Sequence, residues 1–117
     1  MDGESVDVQA LARGINEALV LATLRDGEKH GYQIALDVER DSGGRFVLQH
    51  GTLYPVLHRL EKDGYLSGRW STGEGRRKKL YRLTRAGRRR LDGDARQVTD
   101  VLRSLSALLA GPDHVPA

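Results

Sequence analysis

At 117 residues the chain is long enough for one domain with a modest core, to which a partner subunit can add stability. It has no cysteine, so disulfides, thiolate zinc sites and a cysteine nucleophile are excluded together. The formal net charge of +3 conceals an asymmetry: 13 of the 19 basic residues but three of the 16 acids lie between Arg45 and Arg90, giving +10 there and −7 in the remainder. Such a split is the footprint of a domain that turns one side to a polyanion.

Fifteen of the 19 cations are Arg. Arg favours bidentate contacts to phosphate or guanine, although genomic base composition would produce the same excess. The longest apolar run, Ala18 to Leu24, is interrupted by Thr23 and falls far short of the roughly 20 apolar residues of a membrane span. The amino terminus opens with Asp2, Glu4 and Asp7 rather than with a basic and then an apolar region. A soluble, cytoplasmic protein with no membrane partner is expected.

Taken in order, residues 1–5 have nothing to pack and are expected to fray. From about Asp7, the residues Val8, Leu11, Ala12, Ile15, Leu19 and Ala22 follow helical spacing, and Val20, Leu21 and Leu24 add a second apolar face. A helix apolar on two sides needs cover on two sides, from its own domain and from a second subunit or the last helix. Gly14 weakens its first half, so an irregular start is expected. Residues 25–29 read as a turn, after which His30, Gly31, Tyr32, Gln33 and Ile34 open a second helix that reaches Asp41 and stops at Ser42, Gly43 and Gly44. His30 and Tyr32 read more simply as a capping imidazole and a packing ring than as a catalytic pair. In the link that follows, Phe46 and Leu48 stand on alternate positions and are expected to anchor it to the core.

The next segment is the most informative. Leu53, Val56, Leu57 and Leu60 recur at i, i+3, i+4 and i+7, a narrow stripe to bury. The opposite side carries Gly51, Pro55, His58 and Lys62, flanked by Thr52, Tyr54 and Arg59, and Gly64 supplies the C′ position. A short helix buried on one side and polar to basic on the other suits the major groove of DNA, although an ordinary amphipathic surface helix has the same periodicity. Residues 65–71 and 79–83 alternate as strands do, around a tip at residues 72–75. This is a wing, and Arg76, Arg77, Lys78 and Lys79 follow its tip as four consecutive cations. Gly73-Glu74-Gly75 is not a nucleotide loop, since no Gly-Lys-Ser/Thr follows. Thr84 then caps a helix running to about Leu109, in which Leu91, Ala95, Val98, Leu102, Leu105 and Leu109 are spaced 4, 3, 4, 3 and 4. That seam calls for a helical partner. The expected fold is mainly α with a small β-hairpin (α+β): a winged helix-turn-helix over residues 6–83, a dimerisation helix over 84–110 and a disordered tail over 111–117.

His30-Gly31-Tyr32-x-Ile34, then Gly51-Thr52-Leu53-Tyr54-Pro55-x-Leu57-x-Arg59-Leu60-Glu61-x-x-Gly64, then Tyr81-Arg82-Leu83-Thr84-x-x-Gly87 together resemble the PadR-like family of transcriptional regulators in its short form, over residues 12 to 109. The resemblance implies a homodimer, joined mainly through the last and first helices, that binds pseudo-palindromic operators and commonly represses; some members release DNA on binding a small molecule. It also maps the DNA-facing segment onto residues 49–62, with Tyr54 a phosphate contact, and the wing onto residues 72–79. The family often has Ser-Pro before Gly-Thr-Leu-Tyr, whereas this chain has Gln49 and His50. Either the helix starts nearer Thr52, which puts Pro55 in its first turn, or Gln49 is itself a base reader.

The functional expectation is a sequence-specific DNA-binding regulator. Its helix contacts would be Gln49, His50, Gly51, Thr52, Tyr54, Pro55, His58, Arg59 and Lys62, and its wing contacts Arg76, Arg77, Lys78 and Lys79. No aromatic residue lies between Leu91 and Leu109, so a small-molecule effector would be aliphatic or amphipathic, or would sit near Trp70 and Tyr32. The four histidines, His30, His50, His58 and His114, lack metal-ligand spacing, and no nucleophile is paired with a base, so neither enzyme nor cofactor is expected. The rival readings are a winged-helix protein–protein adaptor, which predicts an acidic or apolar recognition helix, and a non-specific DNA-packing protein, which needs the same cations.

Overall fold

The computed structural model describes residues 7–73, 75 and 77–112. Its elements are α1 (Val8–Thr23), β1 (Lys29–His30), α2 (Gly31–Asp41), α3 (His50–Lys62), β2 (Leu66–Ser71), β3 (Lys78–Leu83) and α4 (Arg85–Ala110). The three strands form an antiparallel sheet in the order β1-β3-β2. Four helices and this small sheet make an α+β winged helix. β1, two residues pairing Lys29 with Tyr81 and His30 with Leu80, lies where the sequence suggested the end of a turn and the opening of the second helix. Two residues are too few to show a period.

The helix ends follow local chemistry. Asp7 caps α1 by accepting the Gln9 N–H at 3.0 Å, and the helix runs unbroken through Gly14, so the expected irregular start is absent. His30 caps α2, its Nδ1 accepting the Gln33 N–H at 3.3 Å. At the end of α3, Gly64 has φ +85°, which lets the Tyr65 N–H reach the Leu60 carbonyl at 2.9 Å while its own N–H reaches that of Glu61 at 3.1 Å. This left-handed turn saves two terminal carbonyls from being orphaned and throws the chain directly into β2.

One contiguous core fills the space between the helices and the sheet. Val20 and Leu21 of α1 with Leu24 at its C-cap, Ile34 and Val38 of α2, Leu53, Val56, Leu57 and Leu60 of α3, and Leu66, Tyr81 and Leu83 of the sheet are all buried. Leu48 joins them from the α2–α3 link, but Phe46 does not and remains 48% exposed. Alternation alone could not reveal that the link turns away from the core there; the Ser42 hydroxyl holds it, accepting the Phe46 N–H at 3.0 Å.

α4 is attached by its first two turns. Thr84 accepts the Gly87 N–H at 3.0 Å and donates its hydroxyl to the Gly64 carbonyl at 2.7 Å, while the Thr84 N–H reaches the Tyr65 carbonyl at 3.2 Å. Gly87 lies so close that a Cβ there would stand 2.1 Å from the Tyr65 oxygen. Among the described residues of α4, Gly87 and Leu91 alone are buried. Val98 is half-buried, Ala95 is exposed, and Leu102, Leu105 and Leu109 are 56%, 46% and 78% exposed. The protein is accordingly elongated, 60 × 30 × 24 Å.

The packing at Gly87 can be tested against Gly93 on the same helix, where an added Cβ meets nothing within 4 Å. Gly87→Ala should lower unfolding stability by about 1–3 kcal/mol through overpacking. Gly93→Ala should raise it by up to about 1 kcal/mol through helix propensity. Urea midpoints at one fixed protein concentration compare the two.

Candidate nucleic-acid interface

The face of α3 opposite its buried stripe is open. Gln49, His50, Gly51, Thr52, Tyr54, Pro55, His58 and Lys62 are all exposed. The helix starts at His50, not nearer Thr52, with Gln49 at the N-cap and Pro55 inside the helix. Among the described residues the Gln49 side chain makes no capping bond, so its amide is left to the outside. Pro55 has no N–H, so the Gly51 carbonyl loses its helical donor on the exposed side, where solvent or a ligand can satisfy it.

Tyr54 is partly fixed. Its ring lies against Gly31, where a Cβ would come within 3.1 Å of it, and meets the His50 ring at 5.6 Å between centroids. The His30-Gly31-Tyr32 and Gly51-Thr52-Leu53-Tyr54 motifs thus touch: Gly31 leaves the room that holds the Tyr54 ring near the start of α3. Tyr32 itself is 56% exposed and does not pack as the sequence suggested.

Several cations that the sequence placed at the interface are engaged elsewhere. Arg59 donates from Nε to Glu17 Oε2 at 3.0 Å and is half-buried. Lys79 binds Glu61 Oε1 at 2.7 Å and is drawn over the Tyr81 ring at 5.4 Å. The side-chain hydrogen bond to Glu61 raises the Lys79 pKa, and the ion pair offsets the charge of this acid on α3. Arg77 and Lys78 are exposed, and the Arg77 guanidinium lies 4.8 Å over the ring of Trp70, which is 54% exposed. Arg76 and the last five residues, His114 included, lie outside the described residues. On the back of the wing, Arg69 donates two bonds to Glu28, the Nε one at 3.0 Å, and this holds the Glu28 carboxyl below its ordinary pKa.

Two buried carboxylates escaped the sequence reading. Glu17 is 9% exposed, and its other oxygen accepts from Arg90 at 2.9 Å. Asp37 is 3% exposed and is met by Lys29 Nζ at 2.5 Å, Gln33 Nε2 at 2.7 Å and Arg40 at 3.2 Å. Both carried a signal: Glu17 stands at the i position of the stripe completed by Val20, Leu21 and Leu24, and Asp37 stands between Ile34 and Val38. An acid on an apolar stripe needs a partner from elsewhere in the chain.

This arrangement of α2, α3 and wing can be set beside known proteins. The family model of the transcriptional regulator PadR-like family matches residues 20–93. The transcriptional regulator Rv3488 of Mycobacterium tuberculosis is 36% identical over 95 residues, covering 81% of this chain and 83% of its own. The chain belongs to the PadR-like family. The negative transcriptional regulator PadR of Bacillus subtilis is 33% identical over 73 residues, 62% of this chain and 40% of that longer protein. Among solved structures, a PadR family transcriptional regulator from Eggerthella lenta superposes with a TM-score of 0.74 at 32% identity, covering 90% of each chain. A transcriptional regulator from Clostridium thermocellum gives 0.76 at 25% identity, covering 83% of this chain and 95% of its own. This PadR-like chain is therefore a DNA-binding transcriptional regulator and not an enzyme. Among the described residues no helix is long and apolar enough to cross a membrane.

The Asp37 cluster, which ties β1 to α2, yields a pH test. Lys29, chiefly by its hydrogen bond, holds the Asp37 carboxyl below its ordinary value of 3.8. A depressed carboxylate contributes stability that is complete above its unfolded pKa and is lost as the pH falls through the folded one. Asp37→Asn should thus cost about 2 kcal/mol at pH 7. The gap to the parent chain should close as the pH falls below 3.8 and through the depressed folded value, where Asp37 becomes a neutral carboxylic acid and its stabilising charge is lost. Unfolding curves at pH 7 and through that acid range measure it.

Proposed function

We propose that this regulator is a homodimeric, sequence-specific repressor that reads a pseudo-palindromic operator in the cytoplasm with two copies of α3. The observation that carries the proposal is the exposure of Leu102, Leu105, Leu108 and Leu109 on α4 within a molecule whose α3 turns a polar face outward. One chain leaves these leucines in water. A second α4 packed along the Ala95, Val98, Leu102, Leu105 and Leu109 part of the seam would cover them and give the two-fold axis that a palindrome mirrors, whereas Leu91, the first residue of the expected seam, is already buried in the protomer's own core. Residues 6–83 would then do the binding and residues 84–110 the joining. Similarity to a relative described as a negative regulator supports repression.

Within this reading the two DNA contacts differ in kind. Gln49, His50, Thr52 and His58 have the donors and acceptors for base edges, and Tyr54 and Lys62 suit phosphates; Pro55 and Gly51 keep the helix surface low enough for close approach. Arg59 contributes through whichever guanidinium donors Glu17 leaves free. On the wing, Arg77 and Lys78 act on the backbone through counterion release, Arg76 beside them in sequence, while Lys79 holds the strand to α3.

Selection of bound sites from a random DNA pool tests the proposal. It should recover a motif with two-fold symmetry; an unbiased pool would favour non-specific packing, and no retained DNA an adaptor role. On the recovered site, Gln49→Ala or His58→Ala should cost roughly 1–3 kcal/mol with little change on random DNA. The Arg77→Ala, Lys78→Ala double variant should weaken both DNAs alike and make the salt dependence shallower by about one unit per lost phosphate contact. Paired salt titrations distinguish the two patterns.

A further inference from the structure

Glu17 connects the two parts of the molecule that a dimeric reader has to keep in register. Its carboxylate is nearly buried on α1, where an apolar residue would cost less, and its two oxygens bind different elements. Oε2 accepts from Arg59 of α3 at 3.0 Å and Oε1 from Arg90 of α4 at 2.9 Å. Arg90 is itself held: its Nε reaches Asp94 Oδ1 at 3.1 Å, and its guanidinium lies 4.9 Å over the Tyr65 ring.

The end of α3 and the start of α4 already meet at one point, where Thr84 bonds to the Gly64 and Tyr65 carbonyls. Gly87 and Leu91 of α4 are packed there as well, an apolar contact that tolerates small rotations more readily than a bond of fixed length does. Arg59 stands five residues before Gly64 and Arg90 six residues after Thr84, so the Glu17 bridge adds a polar tie about one and a half turns from that contact on each helix. Two points define an angle. Because the carboxylate must reach both guanidinia, it accepts a narrow range of such angles.

We infer that Glu17 is a positioning residue that fixes the angle between the reading helix and the dimerisation helix, and thereby the half-site spacing that the dimer accepts. The inference rests on the homodimeric operator reading above. Moving a half-site by one base pair displaces it by about 3.4 Å and turns it by about a tenth of a revolution. A rigid joint rejects such a site, and a loose one follows it.

The test uses the full chain and the site recovered by selection, with a series in which the half-sites are moved one or two base pairs together or apart. Glu17→Gln keeps the size of the side chain and removes its charge; Arg90→Gln severs the α4 limb alone and serves should the first variant fold poorly. Circular dichroism and sedimentation establish that each variant used is folded and dimeric. The parent chain should favour one spacing, and each variant should reduce that preference by at least about tenfold, while affinity for random DNA is unchanged for Arg90→Gln and unchanged or higher for Glu17→Gln, which frees two guanidinium groups. Variants that keep the parental spacing profile, or that lose operator and random DNA in parallel, would overturn the positioning role and leave Glu17 a stabilising ion pair. A parent chain with no spacing preference, or one that binds as a monomer, would overturn the dimeric operator reading first and the inference with it.

Discussion

The fold is governed by the need to hold α3 from one side only. Leu53, Leu57 and Leu60 are at most 1% exposed and Val56 is 4% exposed, and each fully buried side chain of this kind contributes about 1.5–3 kcal/mol relative to exposure. The opposite face contributes no comparable burial, since Gln49, His50, Gly51, Thr52, Pro55, His58 and Lys62 are all exposed. The core therefore gathers under this one stripe: α1 and α2 pack from behind, and the sheet meets it through Leu66, Tyr81 and Leu83. The remaining control over α3 is applied at its ends, by Gly31 beneath Tyr54 at the start and by the Gly64 turn at the close.

The parts legible in the sequence were those governed by local periodicity. The α3 stripe, the wing strands and the capping residue Thr84 depend on neighbours a few positions away, and such patterns survive reading in one dimension. The partners of charged groups do not. Glu17 and Arg59 are 42 positions apart and Glu17 and Arg90 are 73 apart, and no spacing rule connects them. For the same reason Lys79 looked like one of four equivalent wing cations, although strand alternation points it inward to Glu61 while Lys78 points out. Phe46 shows the reverse error: its alternation with Leu48 is real, but no strand forms there to make alternation meaningful.

These ion pairs change the meaning of the basic segment. Its excess of positive charge is not all available to a polyanion, since Arg59, Arg69 and Lys79 are each committed to an acid on another element. What they supply instead is geometry. Arg69 and Glu28 brace the wing against the loop before β1, Lys79 and Glu61 brace it against α3, and Arg59 ties α3 to α1. Exposed cations on α3 and the wing, among them Lys62, Arg77 and Lys78, are then presented on a frame whose shape is set by their paired neighbours. Attraction and positioning are divided among residues of one chemical type.

The central claim is that the frame holds two reading helices at a fixed separation before DNA arrives. Because the chain has no cysteine, His58→Cys provides one spin-label site per protomer, near the middle of the exposed face of α3. Pulsed dipolar spectroscopy on the DNA-free protein should then give a single narrow distance in the region of 34 Å, one turn of the double helix. A broad distribution, or no dipolar coupling at micromolar concentration, would contradict the account.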